Sequence, residues 1–167
     1  NVANNLHAAL QNDESKETFV LPDFLKKMSE NKWLGDKTGQ GFYKKTKNDK
    51  GETAILSLDL NTLEYKPQAK TKFATLEMTK NVDDLKKRYK ILVTGQDKAG
   101  EFYRHTFGSL FAYVSNRIPE IADELYRIDA AMCAGFGWEL GPFEMWDAIG
   151  AKNALALVEK SGKKTAD

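Results

Sequence analysis

The stretch "ENKWLGDKTGQGFYKK", residues 30–45, contains the point at which the chain changes from helical to strand periodicity. Before it, "LPDFLKKMSENK" places its apolar residues on one face at helical spacing. After Gly41 the spacing changes to two in "FYKKTK", "TAILSL" and "TLEYKP", with turn residues between these runs. We therefore expect a helix, a glycine-rich loop and a β-meander of three short strands near residues 41–66.

The glycine-rich loop has two possible interpretations. A phosphate-binding P-loop requires G-x-x-x-x-G-K-[ST] between a strand and a helix. Here Asp36 precedes Lys37, and the loop follows a helix and precedes a strand, so we reject a P-loop. The simpler interpretation is a helix stop and turn in which Gly35, Gly39 and Gly41 supply positive φ angles. Lys37 could still reach a ligand phosphate as a point charge.

Residues beyond the meander are predicted to be helical. "NVDDLKKRYKILV" has an Asn81 cap and one apolar stripe, and "KAGEFYRHTFGSLFAYVSNRI" is longer and more apolar. "PEIADELYRIDAAMCAGFG" is predicted to begin near Pro119 and to end at Gly135–Gly137, and "GPFEMWDAIG" to open at Pro142. "AKNALALVEKSG" is the last predicted helix, which makes about seven, with a domain boundary near residues 67–80.

Composition limits the classes of function. The 167 residues carry 25 basic and 24 acidic side chains, a net charge of +1, which argues against nucleic acid or an anionic membrane as the main partner. Cys133 is the single cysteine, so no internal disulfide or thiolate zinc cluster is expected and a reducing, cytoplasmic compartment is favoured. The sequence contains no apolar run that would span a bilayer. It begins inside a helical pattern without an initiator Met, and we expect a piece of a longer polypeptide.

Few side chains suggest chemistry by themselves. His7 and His105 lack a partner at metal-ligand spacing, so we expect packed or half-exposed histidines and no metal site. Cys133 lies among small residues and is interpreted as core. Asn116 ends an apolar helix, where its amide either makes a helix-end hydrogen bond or orients a substrate or a catalytic histidine.

The segment "FGWELGPFEMWD" is dense in aromatic residues. Phe143 and Trp146 are three residues apart and share a helix face. We expect this face to pack against the long helix through Phe107, Leu110 and Phe111. The alternative is an exposed binding groove or dimer face.

Two motifs resemble the helical C-terminal domain of 3-hydroxyacyl-CoA dehydrogenases. "ENKWLGDKTGQGFYKK" is similar to its closing motif, and "FAYVSNRIPEIADELYRIDAAMCAGFGWELGPFEMWDAIG" is similar to its body. In a single copy the Gly-Pro-Phe motif comes before the Lys-Thr-Gly motif, whereas here it comes after. This order suggests two tandem copies, as in multifunctional fatty-acid β-oxidation enzymes fused to an enoyl-CoA hydratase. The expected domains are 1–67, the end of the first copy plus the meander, and 68–167, the second copy.

The resemblance implies a mainly α, multihelical fold like the 6-phosphogluconate dehydrogenase C-terminal domain, with the small β-meander added. It also implies oxidation of a 3-hydroxyacyl-CoA with NAD as the acceptor. The dinucleotide fingerprint of a Rossmann domain is not found in these residues, so the chain is expected to be inactive alone and to bind no cofactor by itself. Its expected partners are an upstream Rossmann domain, the substrate and NAD of the whole enzyme, and a second subunit in a homodimer. By resemblance, Lys37 matches the lysine that contacts NAD, and Asn116 matches an active-site asparagine.

Two other hypotheses remain open at the level of sequence. The chain could be a free-standing helical module that binds a partner protein through its aromatic cluster. It could also be another helical partner of a Rossmann domain, such as that of a 6-phosphogluconate-type dehydrogenase. A dinucleotide fingerprint encoded shortly upstream would favour the 3-hydroxyacyl-CoA dehydrogenase hypothesis over the free-standing module.

Overall fold

The protein is described by a computed structural model that covers residues 2–166. The chain divides into two compact units, of which the first ends at Lys70 and the second begins at Thr71. The expected class, mainly α with a small β-meander, is confirmed. The proposal that the two units are successive copies of one domain stays a prediction.

The first unit combines two short helices with an antiparallel sheet. The helices are α1 (Val2–Ala9) and α2 (Asp23–Glu30), and 3-10 turns occupy Lys16–Phe19 and Asp36–Thr38. The strands are β1 (Tyr43–Lys47), β2 (Thr53–Leu58) and β3 (Tyr65–Pro67), in the order β1-β2-β3. The predicted helix, loop and three-stranded meander are therefore confirmed.

The two faces of this sheet have different surroundings. Leu58 is buried and pairs with Tyr65, whose ring centroid lies 5.7 Å from that of Trp33. Successive side chains of a strand point to opposite faces, and Tyr43 and Lys45 therefore lie on the other face, where both are exposed. The sheet packs through one face and presents a mixed aromatic and basic surface on the other.

The second unit is helical throughout its regular structure. Its helices are α3 (Ala74–Thr79), α4 (Leu85–Thr94), α5 (Lys98–Ser115), α6 (Leu125–Phe136), α7 (Pro142–Ile149) and α8 (Ala151–Lys160). Residues 2–166 thus contain eight α-helices, one more than expected, because α3 was not predicted. Within these residues no helix is both long and apolar enough to cross a membrane.

Two predicted helix starts were wrong. Helix α4 is capped by Asp84 and not by Asn81, since the Asp84 carboxylate accepts a hydrogen bond from the Lys87 amide. Helix α6 begins at Leu125 and not near Pro119; the chain turns after α5 and is extended again at Glu124.

The predicted end of α6 at Gly135–Gly137 is correct only in part. Gly137 takes the left-handed conformation, with φ of 67°, and ends the helix. Gly135 is an ordinary helical residue.

The core of the second unit is formed by α5, α7 and α8. Its buried residues are Phe107, Phe111, Ala112, Met145, Ile149, Ala154, Leu157 and Val158. The indole of Trp146 lies 5.1 Å from the ring of Phe111, between centroids, and the half-buried Leu110 and Trp138 surround the cluster. The expected packing on the long helix is confirmed for Trp146, whereas Phe143 stacks on Trp146 within α7.

Candidate functional site

The loop that carries Lys37 starts where α2 stops. The Trp33 amide donates to the Met28 carbonyl oxygen at 2.8 Å, which ends the helix. Gly35 and Gly39 flank the following 3-10 turn with φ angles of 102° and 76°, a region that glycine adopts most readily. The positive φ values expected at these two glycines are confirmed.

Gly41 has a different role from the one expected. It is not among the positive-φ residues of residues 2–166, so that expectation was wrong. A Cβ atom at Gly41 would lie 2.8 Å from the Cα atom of Gly35, which leaves no room for a side chain. The Tyr65 hydroxyl donates to the Gly41 carbonyl oxygen at 2.6 Å, and burial raises the pKa of Tyr65. Gly41 therefore allows the loop to close on itself beside the sheet.

Thr38 organises the inside of the loop. Its Oγ1 accepts a hydrogen bond from the Leu34 amide at 2.9 Å. The same hydroxyl lies 3.2 Å from the Gly35 carbonyl oxygen and 3.1 Å from that of Gln40, so its proton can be donated to either. The Gly35 amide also donates to the Gln40 carbonyl oxygen at 2.9 Å. One side chain thus connects both arms of the loop.

Lys37 lies at the apex of this closed loop and is exposed. Within residues 2–166, no carboxylate lies at ion-pair distance from its ammonium group. A fixed backbone with an unpaired cation at its tip can present a positive charge to an anionic group.

Asn116 is the residue that follows the last turn of α5. Its Nδ2 donates to the Lys164 carbonyl oxygen at 3.2 Å, and the neighbouring Ser115 Oγ accepts from the Ala166 amide at 3.3 Å. These bonds fasten the segment after α8 to the end of α5, as the helix-end interpretation of Asn116 proposes. The active-site role implied by the resemblance stays a prediction.

A cleft of about 230 Å³ lies beside the end of α5 in the same unit. Its lining residues are Ser115, Leu125, Phe143, Trp146, Asp147 and Ala151. The lining is mainly apolar, with one hydroxyl and one carboxylate, and it includes the sequence neighbour of Asn116. The cleft can accept a small apolar group with a polar end.

Asp129 was not singled out as a site residue by sequence reasoning, although it lies in "RIDAAM", within the segment that resembles the body of the family's helical domain. Its carboxylate is buried on α6 and accepts hydrogen bonds from two amides at the start of α7, Phe143 at 2.8 Å and Glu144 at 3.2 Å. Burial raises the pKa of Asp129, although the two amide bonds act in the opposite direction. An aspartate between the apolar residues Ile128 and Ala130, about one helix upstream of a Gly-Pro helix start, is a sequence signal that could have indicated this cap.

The close approach of Asp129 to the start of α7 requires a glycine at position 141. A Cβ atom at this position would overlap the Cα and Cβ atoms of Asp129. The Glu144 carboxylate also accepts from the Gly141 amide at 2.8 Å and closes the first turn of α7. The Gly-Pro-Phe motif is therefore a helix start capped by another helix, which is a structural role.

The remaining chemistry-bearing residues do not form a catalytic group. His7 lies 3.8 Å from a Glu17 carboxylate oxygen, and His105 is exposed on α5. Cys133 is half-buried, and desolvation raises the pKa of its thiol, which disfavours a reactive thiolate. In the described part of the chain no group of His, Cys, Asp and Glu side chains could hold a metal ion. Lys37 belongs to the first unit and Asn116 to the second.

The sequence of the chain is similar, over nearly its whole length, to those of curated enzymes. It is 43% identical over 161 residues, 96% of its length, to a "Probable 3-hydroxyacyl-CoA dehydrogenase" of Bacillus subtilis. It is also 29% and 23% identical over 96% of its length to proteins of Rickettsia felis and Rickettsia prowazekii, each a "Putative fatty acid oxidation complex trifunctional enzyme". The resemblance inferred from the two motifs is confirmed.

The chain spans only about one fifth of the length of these relatives, 20% of the first and 21% of the other two. It therefore corresponds to a segment of such a protein. No protein-family profile and no solved structure matches the chain.

Proposed function

We propose that this chain is a helical C-terminal segment of an NAD-dependent 3-hydroxyacyl-CoA dehydrogenase of fatty-acid β-oxidation. The observation that carries the proposal is the 43% identity to the Bacillus subtilis protein across nearly the whole chain. The Lys-Thr-Gly loop supports it, because the loop keeps a rigid closed backbone around an unpaired lysine. The three names include both a single dehydrogenase and a trifunctional enzyme, so a fused hydratase is compatible with the proposal.

In this account the segment does not perform the oxidation itself. The hydride acceptor and the base that takes the hydroxyl proton would be held by a Rossmann domain elsewhere in the longer polypeptide. The segment closes the active-site cleft, and Lys37 supplies a positive charge to the bound NAD. Asn116 and the neighbouring apolar cleft would belong to a second copy of the helical domain.

Contacts with other domains or a second subunit are the other part of the proposal. Three large hydrophobic residues of helix α6 are exposed, Leu125, Tyr126 and Phe136, of which Phe136 is 74% exposed. Contiguous exposed apolar patches commonly mark contact surfaces. The same residues would serve a free-standing interaction module, which is the alternative function.

Two measurements on matched proteins test the proposal. Calorimetric titration of NAD into the 167-residue chain should give no micromolar binding, and the chain should form no NADH from 3-hydroxybutyryl-CoA. The longer polypeptide that includes the Rossmann domain should do both. Micromolar NAD binding by the chain alone would contradict the proposal that the Rossmann domain holds the cofactor. Inactivity of the longer polypeptide on all 3-hydroxyacyl-CoA substrates would contradict the proposed activity.

A further inference from the structure

The solvent-facing side of the small sheet carries a cleft next to the Lys37 loop. The cleft has a volume of about 270 Å³ and is lined by Asp36, Gly39, Tyr43, Lys45, Ile55 and Gln68. All of these residues belong to the first unit. Its volume is near the lower end for small-molecule sites and suits a nucleobase with its sugar better than a whole dinucleotide.

The strand register places the lining side chains in two adjacent rows. Lys45 on β1 pairs with Ile55 on β2, and the Gln68 amide at the end of β3 donates to the Ile55 carbonyl oxygen at 3.4 Å. Tyr43 is two residues from Lys45 and shares its face, with Ser57 opposite. The cleft floor is thus built on paired strands, which fixes the spacing of its groups.

Two large side chains with apolar surface are exposed in these rows. Tyr43 is 58% exposed and Ile55 is 46% exposed, and the register places Ile55 opposite Lys45, diagonally across from Tyr43 on the same face. A flat aromatic ligand could bury both, and stacking on a tyrosine is a sequence-tolerant way to hold a nucleobase. Gln68 offers both an amide donor and an acceptor to the edge of such a base.

The charges at the cleft favour an anionic ligand with hydroxyl groups. Lys45 and Lys47 project from the same face of β1, and neither lies at ion-pair distance from a carboxylate within residues 2–166. Unpaired lysines beside an aromatic surface are suited to phosphate groups. Asp36 lines the same cleft and can accept hydrogen bonds from ribose hydroxyls.

We infer that this sheet-face cleft binds the phosphorylated adenosine of a nucleotide, with the base on Tyr43 and Ile55 and the phosphates near Lys45 and Lys47. Binding itself does not depend on the proposed function. The choice of coenzyme A and NAD as the two candidate ligands does rest on the proposed function. Both molecules contain a phosphorylated adenosine. Adenosine 3′,5′-bisphosphate is the end group of coenzyme A, and ADP-ribose is the corresponding part of NAD, so the two sources can be separated.

The test is an amide-resolved NMR titration of the 167-residue chain at low salt. With adenosine 3′,5′-bisphosphate up to about 5 mM, a range that detects weak binding, we expect saturable shifts at Tyr43, Lys45, Ile55 and Gln68 and none in α5 or α8. Parallel titrations with coenzyme A, ADP-ribose and NAD identify the carrier. Inorganic phosphate should shift the lysines only. The absence of saturation with every adenosine compound, or shifts centred in the second unit, would overturn the inference.

Substitutions distinguish binding of the ligand in the cleft from its non-specific attraction to lysine side chains. Tyr43→Ala should weaken binding about tenfold by removing the stacking surface, and Lys45→Ala should weaken it about fivefold and reduce its salt dependence. Lys27→Ala removes an exposed lysine of α2 outside the cleft and is the matched control, with no expected change. Equal losses in Lys27→Ala and Lys45→Ala, or an unchanged affinity in Tyr43→Ala, would contradict the assignment. Because these tests need no turnover, they can fail while the proposed dehydrogenase function stands, and the reverse also holds.

Discussion

The carboxylate of Asp129 accepts a hydrogen bond of 2.8 Å from the backbone amide of Phe143 and so connects helix α6 to the first turn of helix α7. The same carboxylate accepts from the Glu144 amide. The first amides of a helix have no partner within the helix. Here a side chain from the preceding helix satisfies two of them, which fixes the angle at which α7 and its aromatic residues enter the core.

Asp129→Ala should therefore destabilise the second unit. We expect the free energy of unfolding to fall by about 1–3 kcal/mol, because two part-buried amides of the first turn lose their acceptor. Urea unfolding followed by circular dichroism measures this change. Asp123→Ala removes an exposed carboxylate from the turn before α6 and is the control, with little change expected. Equal stability of the two variants would contradict the capping role.

Trp146→Ala should also destabilise the unit. The half-buried indole packs on Phe111, which is fully buried. Deleting a buried aromatic side chain costs 3–5 kcal/mol, and partial exposure places this residue near the lower end, about 3 kcal/mol. Phe136→Ala, at a residue that is 74% exposed, is the matched control and should melt like the parent. Sedimentation of both variants completes the test. A Trp146→Ala protein that keeps its melting temperature but sediments as a smaller species would favour an exposed binding face.

Local sequence signals predicted much of the fold. The turn residues of the meander and the Pro142 helix start were sufficient to place β1, β2, β3 and α7, because each depends on residues close in sequence. Helical spacing placed Phe143 and Trp146 on one face, and the contact of Trp146 with the long helix was one of the two alternatives for that face.

Long-range contacts account for what was missed. Helix α3 is short, and its residue Thr75 is held by Asp97, which is far away in sequence. The cap that Asp129 provides for α7 and the sterically required Gly41 both depend on contacts between separate segments. The family resemblance identified Lys37 and Asn116 as candidate site residues. The groups that these two side chains face depend on contacts distant in sequence, which motif spacing does not predict.

Acid should weaken the contact between Asp97 and Thr75. Hydrogen bonds from the Thr75 amide and hydroxyl, at 2.9 and 2.7 Å, lower the pKa of Asp97 to about 2 from 3.8. Because the folded pKa lies below the unfolded value, the ionised carboxylate contributes stability above pH 3.8, and this contribution is lost as the pH falls through about 2. The melting-temperature difference between the parent and Asp97→Asn should be largest above pH 4 and shrink towards pH 2. Asp83→Asn, at an exposed position before α4, is the control. A difference that does not change with pH would contradict this account.

The hydroxyl group of Thr38 should stabilise the Lys37 loop, and serine at this position should preserve that effect. Thr38→Val keeps the shape of the side chain but removes the hydroxyl that bonds to both arms of the loop. We expect about 1 kcal/mol of lost stability in the first unit and, in the longer polypeptide, a raised KM for NAD. Thr38→Ser keeps the hydroxyl and should behave like the parent in both measurements. If Thr38→Val and Thr38→Ser had the same KM, the loop geometry would not position Lys37.

The most direct test of the central claim is the KM for NAD of Lys37→Ala in the longer polypeptide, measured with 3-hydroxybutyryl-CoA as the substrate. Loss of one charge-assisted hydrogen bond should raise this KM about tenfold, which corresponds to about 1.4 kcal/mol. Since Lys37 is exposed and unpaired within residues 2–166, the melting temperature should not change. Lys32→Ala, at an exposed lysine before the loop, is the matched control. A KM for NAD that is unchanged in Lys37→Ala would contradict the claim that this loop serves the cofactor.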